Sequence, residues 1–258
     1  MADEILFSLK DGVATITMNR PEKRNALNTV LLEGFNRILS HVEESQEARV
    51  VVIRGEGKAF CSGIDLRELS ARQAGQQGDP ETGVVQIFQR IERSRIPTIA
   101  MVHGDALAGG CELALHCDLR VAAEPARFGM PLARLGLIVP FPLGQKLVEI
   151  IGPAFTKQIL LTGHPIDAKR AYEIGMVHQL VPAGELESAT YELARTIADN
   201  APLSLTGMKA TILRSISLRD TIDHKDLDQL VRNARKSTDA QEGVKAMLEK
   251  RKPVFRGE

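Results

Sequence analysis

The chain has 258 residues, 43% of them apolar, with 33 basic and 33 acidic side chains and a formal net charge of zero. That length carries a full hydrophobic core, and the neutral balance argues against the basic field of a dedicated nucleic-acid binder. Three cysteines (Cys61, Cys111 and Cys117) form no CxxC pair, which argues against a disulfide framework and a zinc site.

In chain order, "ILFSLKDGVATITMNR" alternates on either side of Asp11-Gly12 and predicts a β-hairpin with a tight turn. Its start, "MADEILFSLKDG", lacks the basic and apolar regions of a signal peptide. "NRPEKRNALN" is a polar loop. Apolar residues at Val30, Leu31, Phe35, Ile38, Leu39 and Val42 then fall at helical spacing. "RVVVIRG", residues 49–55, predicts a buried strand, and the Gly- and Gln-rich stretch 70–83 a mobile surface loop. "VVQIFQRIERS" predicts a helix, stopped by Pro97. "TIAMVHG" is a second buried strand, another helix begins near Gly110, and "DLRVAAE" is a third strand. "ARFGMPLARLGL" is mixed. From Pro142 onward helical patterns dominate, apart from the strand-like "MVHQLVP". No stretch reaches the roughly 20 apolar residues of a membrane span, and no simple sequence repeat is visible. The expectation is an α/β core over residues 1–200, a helical part over 201–258, and a cytoplasmic location without membrane or nucleic-acid partners.

Two glycine-containing turns follow predicted buried strands and lead toward helices: "GKAFCSGIDLREL" and "HGDALAGGCELAL". Such turns expose backbone N–H groups, a helix N-terminus adds positive potential, and glycine lets a ligand approach closely. Two of them meeting in space would give one oxygen two donors, which is an oxyanion hole. Each turn alone also fits a packing device. Glu112 alone also fits a first-turn glutamate favoured by the helix dipole. Neither dinucleotide-type loop, GxGxxG or GxxxxGK[ST], is present.

The segments "NRPEKRNALN", "KAFCSGIDLREL", "PTIAMVHGDALAGGCELALHCDLRVAA", "ARFGMPLARLGL", "LTGHPIDAKRAYEIGMVHQLVP" and "EGVKAMLEKRKPVF" resemble, in order and spacing, the crotonase (enoyl-CoA hydratase/isomerase) superfamily. The resemblance implies a crotonase-like α/β spiral of ββα units with a helical C-terminal trimerisation region, assembled as a homotrimer or hexamer. It implies an acyl-CoA thioester substrate, with coenzyme A as part of that substrate and no further cofactor or metal. The implied oxyanion donors are the backbone N–H groups of Ile64 and Gly109. Arg24 and Arg67 match positions for the nucleotide end of CoA. Ala26 and Leu27 match the CoA groove through their backbone, and Lys250 a tail lysine that reaches the CoA of a neighbouring subunit. Hydratases of the family use two glutamates. The first is Glu112 here, but the second position holds Leu132, and a third acid position used by some dienoyl isomerases holds Pro140. Water addition divides its proton work between two carboxylates. One glutamate suffices to shuttle a proton in a double-bond isomerase or to protonate an enolate after decarboxylation. A non-hydrating acyl-CoA binder is the reading from a different class. His103 and Asp105 are weaker candidates for the site, and His116, Cys111 and Cys117 read as packing residues. The pocket floor is expected from loop 70–83 and "GLIVPFPLG".

Overall fold

In the computed structural model, residues 3–68, 80–216 and 221–257 are described. Strands β1 (Ile5–Lys10) and β2 (Val13–Met18) pair antiparallel. The two-residue loop between them has both Asp11 (φ 50°) and Gly12 (φ 78°) in the left-handed region, the backbone that a twisted hairpin requires. Helix α1 (Thr29–Glu44) follows, its N-terminus capped by the Asn28 side chain accepting from the Leu31 N–H. It buries Leu31, Phe35, Ile38, Leu39 and Val42, the positions the spacing predicts; Val30 faces out.

Next come β3 (Val50–Gly55), the short β4 (Ala59–Cys61) and helix α2 (Pro80–Arg93). The expected mobile loop over 70–83 falls mainly outside the described residues, and its last residues, from Pro80, are already helical. Then follow β5 (Thr98–Val102), β6 (Asp105–Leu107), α3 (Gly109–His116), β7 (Leu119–Ala123) and β8 (Arg127–Gly129).

After the β1-β2 hairpin, the first strand of each of the next three ββ units (β3, β5, β7) enters one sheet and the second (β4, β6, β8) enters another. The larger sheet has the order β1-β2-β3-β5-β7-β10, with β10 at Gln179–Val181 and every pair parallel except the hairpin. The smaller sheet has the order β4-β6-β8-β9, with β9 at Ile166–Asp167 antiparallel to β8. This alternation is a spiral of ββα units, as expected. The smaller sheet is not legible in the sequence, because strands of two or three residues are too short to show a period of two.

Both faces of the larger sheet are covered, which explains the unbroken apolar runs in β3 and β5. One face meets α1, α2 and α3 in the main core. On the other, Val50, Val52, Ile99, Met101 and Val121 pack with Leu186 and Ala194 of α6 (Leu186–Ala198). Helix α4 (Phe141–Thr162) is broken at Gly152, and α5 (Ala168–Glu173) leads to β10. The remaining helices, α7 (Pro202–Ile216), α8 (Lys225–Lys236) and α9 (Thr238–Leu248), form the C-terminal part. Helix α9 does not stand apart from the core. Its Ala240 and Val244 pack with Leu135 and Leu137 beside the 3-10 turn Pro131–Leu135.

Candidate active site

Three loops converge at one end of the sheets. In the loop after β2, Arg24 (φ 51°) and Asn25 (φ 54°) both take left-handed backbone. The fully buried Asn25 side chain holds that shape, accepting from the Arg20 N–H and donating to the carbonyls of Glu56, Ala59 and Phe60. Arg20 adds a second tie. Its guanidinium donates to the Ala26 carbonyl and lies 3.2 Å from Asp65. Leu27 and Ile64 form a parallel bridge, in which the Leu27 N–H donates to Gly63 O (2.7 Å) and the Asp65 N–H to Leu27 O (2.9 Å).

The second loop is the turn after β4. Gly63 (φ 92°) needs its missing side chain, because a Cβ there would stand 3.0 Å from the Gly109 nitrogen. The third is the turn into α3. Ala108, at φ 49° and ψ −122°, gives that helix no side-chain cap. The Ile64 nitrogen lies 3.7 Å from where a Gly109 Cβ would be. The two turns therefore meet, as the sequence suggests. Neither the Ile64 nor the Gly109 N–H has a hydrogen-bond acceptor among the described residues.

Ile64, Gly109 and Glu112 line one cavity of about 400 Å³, together with Arg24, Ala26, Arg67 and Leu132. Val84, Leu135, Leu137, Pro140 and Leu143 make much of its wall apolar, so "GLIVPFPLG" contributes as expected. Glu112 is completely buried, and neither carboxyl oxygen has a hydrogen-bond partner among the described residues. Burial pushes its pKa well above the usual carboxylate range, and the Lys146 charge opposes this only in part. The nearest polar ring is that of His116, whose Nδ1 lies 3.7 Å from Oε2 but donates to the Glu112 backbone carbonyl at 2.8 Å. The 3.7 Å approach is a close contact and not a hydrogen bond.

Leu27, expected along the groove, is not in the cavity wall. Leu27 is a core residue whose N–H and C=O are both spent on the bridge to residues 63–65, so it shapes the Ile64 turn from behind. Lys250 is exposed beyond the end of α9, with its N–H bonded to Met247 O. The tail also contributes Met247 and Leu248 to the wall. No local signal marks these two, since a surface helix carries such residues routinely. Of the weaker candidates, His103 bonds to Gly57 O, and Asp105 is held by Arg127 through two bonds of 2.7 Å; neither lines the cavity. All three cysteines are buried thiols. Burial pushes Cys61 and Cys117 up to about 12 and Cys111 higher still, which removes them as nucleophiles near neutral pH. Among the described residues no group of three or more His, Cys, Asp or Glu side chains could hold a metal ion, and no helix is long and apolar enough to cross a membrane.

With this fold and site in place, comparison with known proteins assigns the class. The chain belongs to the enoyl-CoA hydratase/isomerase family, whose model matches residues 8–258, and it is an enzyme of that family. Among its relatives, a short-chain-enoyl-CoA hydratase of Clostridium acetobutylicum is 34% identical over 83% of this chain and 82% of its own. A 2,3-dehydroadipyl-CoA hydratase of Escherichia coli is 33% identical over 98% of this chain and 99% of its own. Among solved structures, a methylmalonyl-CoA decarboxylase complexed with 2S-carboxypropyl-CoA superposes with a TM-score of 0.90, at 30% identity over the whole of both chains.

Proposed function

We propose that the chain processes acyl-CoA thioesters by moving a proton beside the thioester carbonyl, with Glu112 as the acid and base. The carrying observation is Glu112 itself, buried at the cavity wall with both carboxyl oxygens unbonded among the described residues. A carboxyl in that setting keeps its proton to higher pH and can give it to a carbanion-like carbon. The thioester oxygen would sit against the N–H groups of Ile64 and Gly109. One such donor contributes about 3 kcal/mol to stabilising a developing oxyanion. Arg24 and Arg67, on the same cavity, suit the phosphates of CoA, and Ala26 its groove. Coenzyme A belongs to the substrate, and the reading needs no other cofactor.

Leu132 on the cavity wall supports proton shuttling over hydration, since it can neither position water nor exchange a proton. The reactions that fit are double-bond isomerisation and protonation of an enolate. Decarboxylation of a malonyl-type thioester is the second reading. It is favoured by the likeness to methylmalonyl-CoA decarboxylase and by its need for a proton donor without a water site. Assembly as a homotrimer or hexamer, with Lys250 meeting a neighbour's CoA, belongs to the same proposal. Exposed Leu203, Met208 and Ile212 on α7 support it. A cytoplasmic location is proposed with it.

The test is incubation in D2O with a saturated acyl-CoA, a 2-enoyl-CoA, a 3-enoyl-CoA and a malonyl-type thioester, followed by mass spectrometry. Deuterium entering at C2, and lost in Glu112→Gln, is the expected result. Thioester binding with no exchange or turnover on any substrate rejects the reading in favour of a binder.

A further inference from the structure

The two N–H groups facing the cavity are held from behind in different ways. The Gly109 N–H shares a peptide group with the Ala108 carbonyl, which accepts from the Glu112 N–H at 3.1 Å. The first turn of α3 therefore fixes it. The Ile64 N–H lies in a bridge and not in a helix. It shares a peptide group with the Gly63 carbonyl, which accepts from the Leu27 N–H at 2.7 Å. The Leu27 N–H in turn shares a peptide group with the Ala26 carbonyl, and that carbonyl accepts from Nη1 of Arg20.

In a trans peptide the C=O and N–H bonds point in opposite directions, and every described peptide bond is trans. The hydrogen bonds therefore run in one line. It leads from the Arg20 guanidinium through the peptide of Ala26 and Leu27, then through the peptide of Gly63 and Ile64, to the cavity. We infer that Arg20 is a positioning residue for catalysis: through these two peptide groups it aims and polarises the Ile64 N–H toward the thioester oxygen. This rests on the oxyanion-hole part of the reading above. Arg20 touches no substrate, for it is buried and does not line the cavity.

A peptide group whose carbonyl accepts from a cation is a stronger donor at its own N–H, and bonds in a chain strengthen one another where water is excluded. Arg20 and Leu27 are both buried, so solvent does not shield the line. The guanidinium is held on its other sides by Asp65 Oδ2 at 3.2 Å and Glu4 Oε2 at 3.3 Å. Asp65 spends its second oxygen on the Arg67 N–H at 3.1 Å. The Arg20 N–H donates to Asn25 Oδ1 at 2.9 Å and closes the loop on itself. The two carboxylates thus fix the fork, and its remaining arm is the one that reaches Ala26. A lysine keeps a cation but has no planar fork to meet Ala26 and Asp65 together.

The experiment reads the thioester carbonyl directly. An acyl-CoA with carbon-13 at that position is bound at saturation, and its C=O stretch is recorded by isotope-edited infrared spectroscopy. Wild type, Arg20→Met, Arg20→Gln and Arg20→Lys are compared, with C2 deuterium exchange at saturation and thioester affinity measured for each. In wild type the bound stretch should lie below that of the free thioester. In Arg20→Met and Arg20→Gln it should move back toward the free value, with exchange about tenfold slower, less than the loss of a whole donor brings. Affinity should stay within about threefold of wild type, because the contact acts on the transition state. Arg20→Lys, which keeps a cationic donor for Ala26, should recover part of both losses. Arg20→Gln and Arg20→Lys decide the matter if Arg20→Met does not fold. A wild-type stretch in every folded variant overturns the inference. So does weaker affinity with stretch and saturated exchange unchanged, because that marks a role in shaping the loop alone. A bound stretch in wild type no lower than the free value removes the oxyanion-hole reading itself, and this inference with it.

Discussion

A methyl group on Gly110 would stand 2.6 Å from the carbonyl carbon of Cys61. The first turn of α3 therefore rests directly on β4, with backbone against backbone. This contact brings the turn carrying Gly109 against the turn carrying Ile64. Gly110→Ala has no flexible neighbour to displace and has to part the two elements. Overpacking of this kind costs about 3 kcal/mol. Urea denaturation should show a loss of that order, and the surviving folded protein should bind acyl-CoA more weakly than wild type.

Glu112 is placed against stability. A buried carboxyl without a partner costs about 1–3 kcal/mol relative to an apolar group of like shape. Glu112→Met should therefore be more stable than wild type and catalytically dead. The gap should also depend on pH. Below the ordinary value of 4.5 both folded and unfolded chains hold the proton. Above it the unfolded chain ionises while the folded chain does not, so wild-type stability falls as pH rises until the folded-state pKa is passed. Chemical denaturation at several values between about pH 5 and 8 should show the Glu112→Met advantage widening toward alkaline pH. A constant gap would mean that the carboxyl is already ionised in the folded protein.

Leu132→Glu restores a second carboxyl to the cavity. If the missing acid is what withholds hydration, this variant should raise hydration of a short 2-enoyl-CoA about a hundredfold, the lower end of the range for one acid–base group. Absorbance of the conjugated thioester follows the reaction directly. Wild type that already hydrates it at an ordinary enzyme rate would remove the argument from Leu132.

Arg120 holds the far end of α3. Its buried guanidinium donates to the carbonyls of Cys117 (2.7 Å), Ala114 (3.2 Å) and Leu115 (3.4 Å), and to Met176 (2.6 Å). Arg120→Met leaves these buried carbonyls unmatched and should cost about 3 kcal/mol. Arg120→Lys should recover little of it, since one ammonium cannot span the same fork. Thermal melting of the three proteins distinguishes these outcomes.

Much of the larger sheet was readable. The runs in β3, β5 and β7 are apolar because both faces are covered, and Asp11-Gly12 marks the hairpin through its backbone preference. The smaller sheet was not, for β4, β6 and β8 have three residues each and β9 two. Leu27 shows a similar limit. Its neighbours Arg24 and Ala26 reach the cavity, but the bridge to Ile64 turns it into the core.

The sequence by itself determined the alternation of strands and helices, the two glycine turns, the glutamate behind the second, and the leucine where a second acid would stand. These are matters of local preference and residue identity, which a chain carries along its length. Only the tertiary structure decided that Ile64 and Gly109 face one cavity, that Met247 and Leu248 return to close it, and that Arg20 stands behind Ile64 through two peptide groups. Those relations join segments far apart in the chain, and packing alone sets them.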